Sequence, residues 1–306
     1  MRQIITMHTK ITAEWKVNGP LVIGLFDGVH LGHQELIQEA KKDQREITCL
    51  TFSSAMAHSI AHKSGGLLLT EDEKEEKLKE LGVSRELVLP FDKETKNTSK
   101  EAFLSFLQSL SPTRIIVGED FTFGKNIERK AKDLFSLKEK GIEITILSLK
   151  EQDGEKISSS RIRRLLLDGN VEKAKELLSY PFFYTGEVKA GKHNGKRIGF
   201  PTVNIEVEPL KVKLKEGVYL TKTSVLGHTY LSMTNVGNHP TIDPLSISII
   251  ETYLLGFDEE IYGKTIRVEF FSFLRPQQKF NSVNELHSQL QQDQETCIRL
   301  AKEMNL

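Results

Sequence analysis

Two histidines three residues apart are the side chains of this sequence best suited to chemistry on a phosphate. His30 and His33 end the run G-L-F-D-G-V-H-L-G-H, which covers residues 24–33. Imidazoles at a helix start can donate hydrogen bonds to a triphosphate while its charge rearranges. Glycines let the backbone approach a phosphate, and the free N–H groups of the helix start favour an anion. The run predicts nucleotide chemistry; the alternative is a helix cap beside a surface histidine.

The elements on either side place this run at a strand-to-helix turn. An apolar stretch predicts a buried strand over 21–26, and the spacing of Leu36, Ile37 and Ala40 predicts a helix over 34–42. Open α/β sheets bind nucleotides at such turns, at the carboxyl ends of their strands. The candidate nucleotide-binding residues of the turn are Gly24, Phe26, Asp27 and Gly32.

The hydrophobic pattern predicts two domains, 1–181 and 182–306. In the first, strands alternate with helices, which predicts a Rossmann-like parallel sheet covered by helices. In the second, short strands separated by glycine, asparagine and proline predict a small antiparallel β-barrel closed by a C-terminal helix over 283–303. The strands are predicted at 21–26, 47–52, 87–90, 114–118, 142–149, 184–189, 202–207, 218–224, 229–234, 248–255 and 265–273, and the other helices at 34–42, 71–81, 99–110 and 130–140.

Two further motifs in the first domain could bind a nucleotide. The run V-G-E-D-F-T-F-G over 117–124 is interpreted as a binding loop for a flat ring, or as an ordinary loop whose phenylalanines fill the core. The run I-S-S-S-R-I-R over 157–163 opens a helix, where hydroxyls, free N–H groups and arginines predict an anion site. The candidates are Asp120, Phe121, Phe123, Ser159, Ser160, Arg161 and Arg163.

The predicted barrel carries a second set of polar candidates. In the run G-F-P-T-V-N over 199–204, Thr202 and Asn204 alternate onto one face of a strand, where their oxygens suit Mg²⁺ and a triphosphate. Gly199 and Pro201 shape the turn before them. Glu251 interrupts an apolar run and is a candidate general base. A polar strand edge and a solvent-facing carboxylate are the alternatives.

The composition argues against several classes of protein. The chain has 306 residues, 42 basic and 42 acidic, so nothing in its charge predicts a nucleic-acid partner. Its two cysteines do not predict a disulfide framework. No apolar run approaches the ~18 residues of a membrane span, and we find no signal-peptide pattern. We expect a cytoplasmic protein with small-molecule substrates, and the sequence leaves its oligomeric state open.

Together these motifs resemble the prokaryotic bifunctional riboflavin kinase/FAD synthetase family over nearly the whole chain. The resemblance implies an α/β nucleotidyltransferase domain followed by a riboflavin kinase barrel. In the barrel, ATP would phosphorylate riboflavin to FMN, with Thr202 and Asn204 holding Mg²⁺-ATP and Glu251 as the base. In the first domain, the FMN phosphate would attack a second ATP, giving FAD and pyrophosphate. The residues implied to stabilise or grip the triphosphate there are His30, His33, Ser159, Arg161 and Arg163.

One segment departs from the family pattern. The family has T-F-x-P-H-P after its second strand, whereas this chain has T-F-S-S-A-M over 51–56 and a displaced His58. Because that stretch lies near the flavin in the family, a riboflavin kinase with a weak or inactive adenylyltransferase domain is the second hypothesis. A flavin-binding regulatory or carrier protein without turnover is the third, and a retained Glu251 argues against it.

Overall fold

The computed structural model describes residues 2–53, 65–90, 92, 95, 97–123, 129–189, 199–237 and 248–306. It divides into two compact units, Met1–Arg161 and Ile162–Leu306. The helix Val171–Leu178 belongs to the second unit, where the Lys175 ammonium lies 5.1 Å from the ring centroid of Phe271. The chain therefore passes from one compact unit to the other upstream of the domain boundary predicted at 181. Where the functional domains meet stays a prediction.

The first unit is built on a parallel sheet of six strands. Its elements in chain order are β1 (Arg2–Ile4), a 3₁₀ turn (Ala13–Trp15), β2 (Pro20–Ile23), α1 (Leu31–Lys41), β3 (Ile47–Phe52), α2 (Glu71–Glu80), β4 (Val83–Leu89), α3 (Lys100–Ser109), β5 (Arg114–Gly118), β6 (Thr122–Phe123), β7 (Arg129–Lys130), a 3₁₀ helix (Ala131–Lys140), β8 (Glu143–Leu147), β9 (Glu151–Gln152) and β10 (Glu155–Lys156). The helix α4 (Ser159–Leu167) begins at the end of this unit.

The sheet order is β1-β4-β3-β2-β5-β8, so the chain leaves β2 for one side of the sheet and later returns to pair β5 on the other. A reversal of this kind opens a crevice at the carboxyl ends of the two central strands, where open α/β sheets bind ligands. All four residues of β2 are buried, as in a central strand covered by helices on both faces. The predicted parallel sheet is confirmed, and the histidine run lies at this crevice.

Two boundaries differ from the prediction and bear on the site. The first predicted strand reaches Phe26, but β2 ends at Ile23, since Phe26 has a φ of 53° that no strand accommodates. The predicted helix start at Gln34 is too late, because α1 begins at Leu31. His30 is thus the N-cap residue of α1, and His33 lies in its first turn.

The second unit contains a closed antiparallel barrel of six strands, as predicted. Its strand order is β11-β12-β15-β14-β13-β16, followed by the C-terminal helix. Its elements are α5 (Val171–Leu178), β11 (Phe183–Lys189), β12 (Thr202–Val207), β13 (Gly217–Val225), β14 (His228–Val236), β15 (Ser248–Leu254), β16 (Thr265–Arg275) and α6 (Val283–Glu303).

The barrel strands alternate between an inner face and an outer face. Tyr219 and Phe270 are fully buried inside, with ring centroids 5.3 Å apart. On the outer face, Val218 and Leu220 pack in one cluster with Cys297 of α6. On the inner face of the neighbouring strands β13, β14 and β15, five buried hydroxyl side chains form a hydrogen-bonded ladder with O–O distances of 2.8–3.0 Å. They are Thr221, Thr223, Ser232, Thr234 and Thr252.

Candidate active sites

The loop between β2 and α1 holds an unusual backbone conformation. Phe26, Gly28 and Val29 have φ angles of 53°, 81° and 37°, all on the left-handed side. A β-branched residue with a positive φ is strained, and such strain concentrates at functional sites. Gly24 lies under the Phe26 ring, where an added Cβ would be 3.3 Å from the nearest ring carbon. The loop is therefore folded back over the end of β2.

The two histidines form a stacked pair at the start of α1. Their ring centroids are 3.7 Å apart and their planes differ by 15°. Gly32 leaves room for this arrangement, because a Cβ there would lie 3.3 Å from two atoms of the His30 ring. The Phe26 ring lies 5.4 Å from that of His33. The pair thus faces the crevice on the N-terminal end of a helix, where backbone N–H groups attract an anion.

The electrostatics of the pair favour neutral imidazole at His33. Burial lowers the pKa of His33 well below its ordinary value of 6.5, and the nearby charges of His30 and Lys156 lower that pKa further. The Nδ1 atom of His33 is buried and has no hydrogen-bond partner among the residues that the structure describes. A neutral ring of this kind donates one hydrogen bond through its N–H and can accept one at its other nitrogen.

The serine-arginine motif reaches the same loop through its first serine. Ser159 begins α4, and its hydroxyl donates a 2.8 Å hydrogen bond to the carbonyl oxygen of Asp27. The Asp27 carboxylate accepts a 3.0 Å hydrogen bond from the backbone N–H of Leu68. Asp27 therefore ties the histidine loop to two other segments. Ser160 is exposed, and Arg163 is buried.

Arg161 is in the first turn of α4, and its side chain contacts the neighbouring β9–β10 hairpin. Its guanidinium donates 2.9 Å hydrogen bonds to the carbonyl oxygens of Gln152 and Glu155 and forms a 2.9 Å ion pair with the Glu155 carboxylate. Only 9% of the Arg161 side chain is exposed. In this structure the guanidinium holds the β9–β10 hairpin against the start of α4. Its contact with a triphosphate stays a prediction.

The loop after β5 brings a carboxylate to the crevice, and β10 brings a lysine to it. Asp120 forms an ion pair with Lys156, whose charge also acts on His33. Lys156 could not be predicted from the sequence, since its nearness to His33 depends on the fold. Phe123 is buried in the core, 4.9 Å from the ring of Phe103, whereas Phe121 is only partly buried. Of the two rings, Phe121 alone is placed to meet a ligand at the surface.

Strand register places the polar candidates of the barrel together. Asn204 on β12 lies directly opposite Glu251 on β15, and Asn235 on β14 lies opposite Glu251 on its other side. Directly opposed residues point to the same face with Cβ atoms about 5 Å apart. Thr202 is two residues from Asn204 and shares this face. It is the outer face, since Thr252 beside Glu251 belongs to the inner hydroxyl ladder.

The turn before β12 is fixed by one aromatic side chain. Gly199 has a φ of 78°, and Pro201 is exposed. Between them, Phe200 is buried, with its ring centroid 5.1 Å from that of Tyr253 and 5.7 Å from that of His287. The oxygens of Thr202 and Asn204 with the carboxylate of Glu251 suit a hard cation such as Mg²⁺. The described residues contain no cluster of three or more His, Cys, Asp or Glu side chains able to hold a metal.

Two tertiary contacts beside this face were missed from the sequence. Arg275 at the end of β16 forms a bidentate ion pair with Asp293 of α6, at distances of 2.7–3.0 Å. Gln277 donates to the side-chain oxygen of Asn235 at 3.2 Å and to the carbonyl oxygen of Val236 at 3.0 Å. The first contact fixes the helix on the barrel, and the second fixes the chain after β16 beside Glu251. The run F-L-R-P-Q-Q over 273–278 supplies one partner of each contact, Arg275 and Gln277.

Some predicted features fall outside the described residues. These are the altered segment beyond Ser53 with His58, Gly124 of the loop after β5, and residues 195–198 before Gly199. No helix in the described part of the chain is both long enough and apolar enough to span a bilayer.

Comparison with protein families finds two matches that follow one another along the chain. A family described as FAD synthetase matches residues 14–161, and a family described as riboflavin kinase matches residues 178–301. The histidine, aspartate and serine motifs fall in the first match, except for the end of the serine-arginine run. Thr202, Asn204 and Glu251 fall in the second.

Comparison with individual proteins finds relatives of the same length and organisation. A bifunctional riboflavin kinase/FMN adenylyltransferase from Listeria monocytogenes is 36% identical over 303 residues, with 96% of each chain covered. A protein of the same name from Bacillus subtilis is 33% identical, again with 96% of each chain covered. A crystal structure described as a macrolide-efflux protein from Streptococcus pneumoniae has a TM-score of 0.84 and 31% identity, covering 96% of this chain and 98% of its own.

Proposed function

Since the chain belongs to the bifunctional riboflavin kinase/FMN adenylyltransferase family, we propose that it makes FMN from riboflavin and then FAD from FMN, in two separate active sites. The kinase site is on the outer face of the barrel, and the adenylyltransferase site is at the β2–β5 crevice. We keep 1–181 and 182–306 as the functional domains, and we place the protein in the cytoplasm with small molecules as its substrates.

In the kinase site, Glu251 takes the proton of the terminal ribityl hydroxyl of riboflavin. The hydroxyl oxygen then forms a bond to the γ-phosphorus of ATP, and the bond to the bridging oxygen breaks with release of ADP. Thr202 and Asn204 hold the nucleotide and its Mg²⁺, which neutralises charge on the phosphates when bound. Positioning and charge neutralisation account for most catalysis in phosphoryl transfer, which fits a site with so few chemical groups.

In the adenylyltransferase site, an FMN phosphate oxygen attacks the α-phosphorus of ATP, and pyrophosphate leaves. The stacked rings of His30 and His33 donate hydrogen bonds to the triphosphate as its charge moves to the leaving group. The N-terminal N–H groups of α1 and the serines of α4 complete the anion site. Arg163 assists from the second turn of α4, and Asp120 and Phe121 border the adenine or flavin.

The observation that carries this proposal is the register of the barrel, which aligns Asn204 with Glu251 on one face next to Thr202. A carboxylate placed beside two oxygen ligands supports turnover and argues against a flavin carrier, because binding alone needs no base. The stacked histidines with their strained loop support a working second site. A kinase with an inactive adenylyltransferase domain is therefore the second candidate.

Product analysis of the purified protein tests the proposal. The protein is incubated with riboflavin, ATP and Mg²⁺, and in parallel with FMN, ATP and Mg²⁺, and the flavins are separated by chromatography. We expect FAD from both starting flavins. FMN that accumulates without FAD would favour the kinase-only candidate. If neither product forms with oxidised or with reduced flavin, both enzymatic functions are refuted.

A further inference from the structure

The C-terminal helix α6 contacts the turn that leads into β12, through a residue with no part in the mechanism above. His287 lies in the second turn of α6, and its ring meets the Phe200 ring edge to face, at 5.7 Å and an angle of 70°. Phe200 meets the Tyr253 ring in the same way, at 5.1 Å and 66°. Phe200 is only 5% exposed. It is therefore held between one ring of the barrel wall and one ring of the helix.

The position of Phe200 determines where Thr202 lies. Thr202 is directly opposite Tyr253 in the ladder between β12 and β15, so both side chains are on the outer face. Only Pro201 separates Phe200 from Thr202, and proline fixes its own φ at about −65°. Because the backbone between the two residues is restricted, a displacement of Phe200 should also displace the Thr202 hydroxyl.

The helix itself has a fixed place on the barrel. Its Asp293 is buried and accepts the bidentate ion pair from Arg275 together with a 3.0 Å hydrogen bond from Gln289. Bidentate pairs of this kind restrict orientation as well as distance. His287 is six residues before Asp293, about 9 Å along the helix axis. The anchor thus keeps the His287 ring within reach of Phe200.

We propose that His287 is a positioning residue of the kinase site, which acts through Phe200 to hold Thr202 in place for the nucleotide. The proposal rests on the function proposed above for Thr202. His287 contacts Phe200 ring to ring, edge to face. The proposal therefore requires an aromatic ring at position 287. The effect belongs to the nucleotide side of the reaction, since Thr202 is the residue that moves.

Steady-state kinetics of the full-length protein test this inference. The variants are His287→Ala, His287→Gln and His287→Phe, assayed for FMN formation while riboflavin, MgATP and free Mg²⁺ are varied in turn. We expect Ala and Gln to raise the apparent KM for MgATP about tenfold, since a displaced Thr202 hydroxyl loses its hydrogen bond to the nucleotide, and tenfold corresponds to about 1.4 kcal/mol. The KM for riboflavin should stay within about twofold, and His287→Phe should restore the wild-type KM for MgATP to within about threefold.

Leu300→Ala is the matched control for a loosened helix. Leu300 packs against the same cluster as Phe200 but lies about 20 Å from His287 along the helix. Leu300→Ala should leave the KM for MgATP unchanged even if it lowers the melting temperature as much as His287→Ala does, or more. FAD formation from FMN should be normal in every variant. The inference is overturned if Leu300→Ala matches His287→Ala, if His287→Phe fails to restore the KM, or if no His287 variant changes it. A wild-type protein that makes no FMN would instead refute the proposed kinase itself.

Discussion

Replacing His33 with glutamine should remove a pH-dependent loss of stability from the first unit. Burial and two nearby positive charges lower the pKa of His33 in the folded protein, so folding disfavours its protonated form. In the unfolded chain the ring takes up a proton near pH 6.5. The unfolded state therefore binds more protons at His33 than the folded state does. The contribution of His33 to stability is present above that pH and is lost as the pH falls below it.

The size of the effect follows from the proton difference alone. With an unfolded pKa of about 6.5 and a ring that stays neutral in the folded state, the loss between pH 7.5 and pH 5.5 is about 1.4 kcal/mol. A folded pKa inside that range would make the loss smaller. Glutamine removes the stacking on His30 and does not titrate. Because it does not titrate, the free energy of unfolding of the variant should fall by about 1.4 kcal/mol less than that of wild type between about pH 7.5 and pH 5.5.

Urea unfolding followed by tryptophan fluorescence measures this loss in the first unit alone. The sequence has a single tryptophan, Trp15, which packs against the core of that unit. Midpoints and slopes are compared for wild type and His33→Gln at about pH 7.5, 6.5 and 5.5. His8→Gln is the matched control for replacing a histidine of the same unit outside the stacked pair. Parallel curves for wild type and His33→Gln would refute the assignment of a neutral His33 ring in the folded protein.

Three further perturbations should separate the two sites and test one buried ion pair. Glu251→Gln should slow FMN formation by about 10²- to 10⁴-fold, the usual range for loss of a general base, while FAD formation from FMN stays normal in the same assay. Gly32→Ala should lower FAD formation at least about tenfold and spare the kinase, because its Cβ would lie 3.3 Å from the ring of His30; equal losses in both activities would contradict this. Lys74→Met should destabilise the first unit by about 1–3 kcal/mol in urea unfolding, because burial already raises the pKa of Glu86 and the variant leaves that buried carboxyl without its 3.3 Å partner. Adding Glu86→Leu should recover most of that loss, and a double variant no more stable than the single one would argue against the pair.

The barrel strands of the second unit and its C-terminal helix could be predicted closely from the sequence, whereas the helix Val171–Leu178 was missed. The strand Thr202–Val207 and the helix Val283–Glu303 have the predicted bounds, because alternation and helical spacing are strong over their whole length. The predicted strand beginning at Leu21 was three residues too long at Phe26. Its apolar residues continue past Ile23, whereas the backbone turns into the left-handed region, which an apolar pattern does not reveal.

The contacts that complete each site depend on tertiary structure and carry little sequence signal. Lys156 reaches Asp120 and His33 only because β5 and β10 end near the same crevice. The pairing of Arg275 with Asp293 joins a strand end to the middle of a helix. The residues proposed to contact the substrates lie close together in the chain, so they can be recognised in the sequence as motifs. The residues that hold such groups in place are distant in sequence, and only the fold brings them into contact.

The hydroxyl ladder inside the barrel has a consequence for the face outside it. Successive residues of a strand point to opposite faces, so a slip of β15 by one residue would turn Glu251 inward and Thr252 outward. The slip would also break the 3.0 Å hydrogen bond between Thr252 and Thr234, at a cost of about 0.5–1.5 kcal/mol. The interior hydrogen bonds therefore select the strand register of the barrel wall. The register that completes the hydroxyl ladder inside is also the register that places Glu251 beside Asn204 outside.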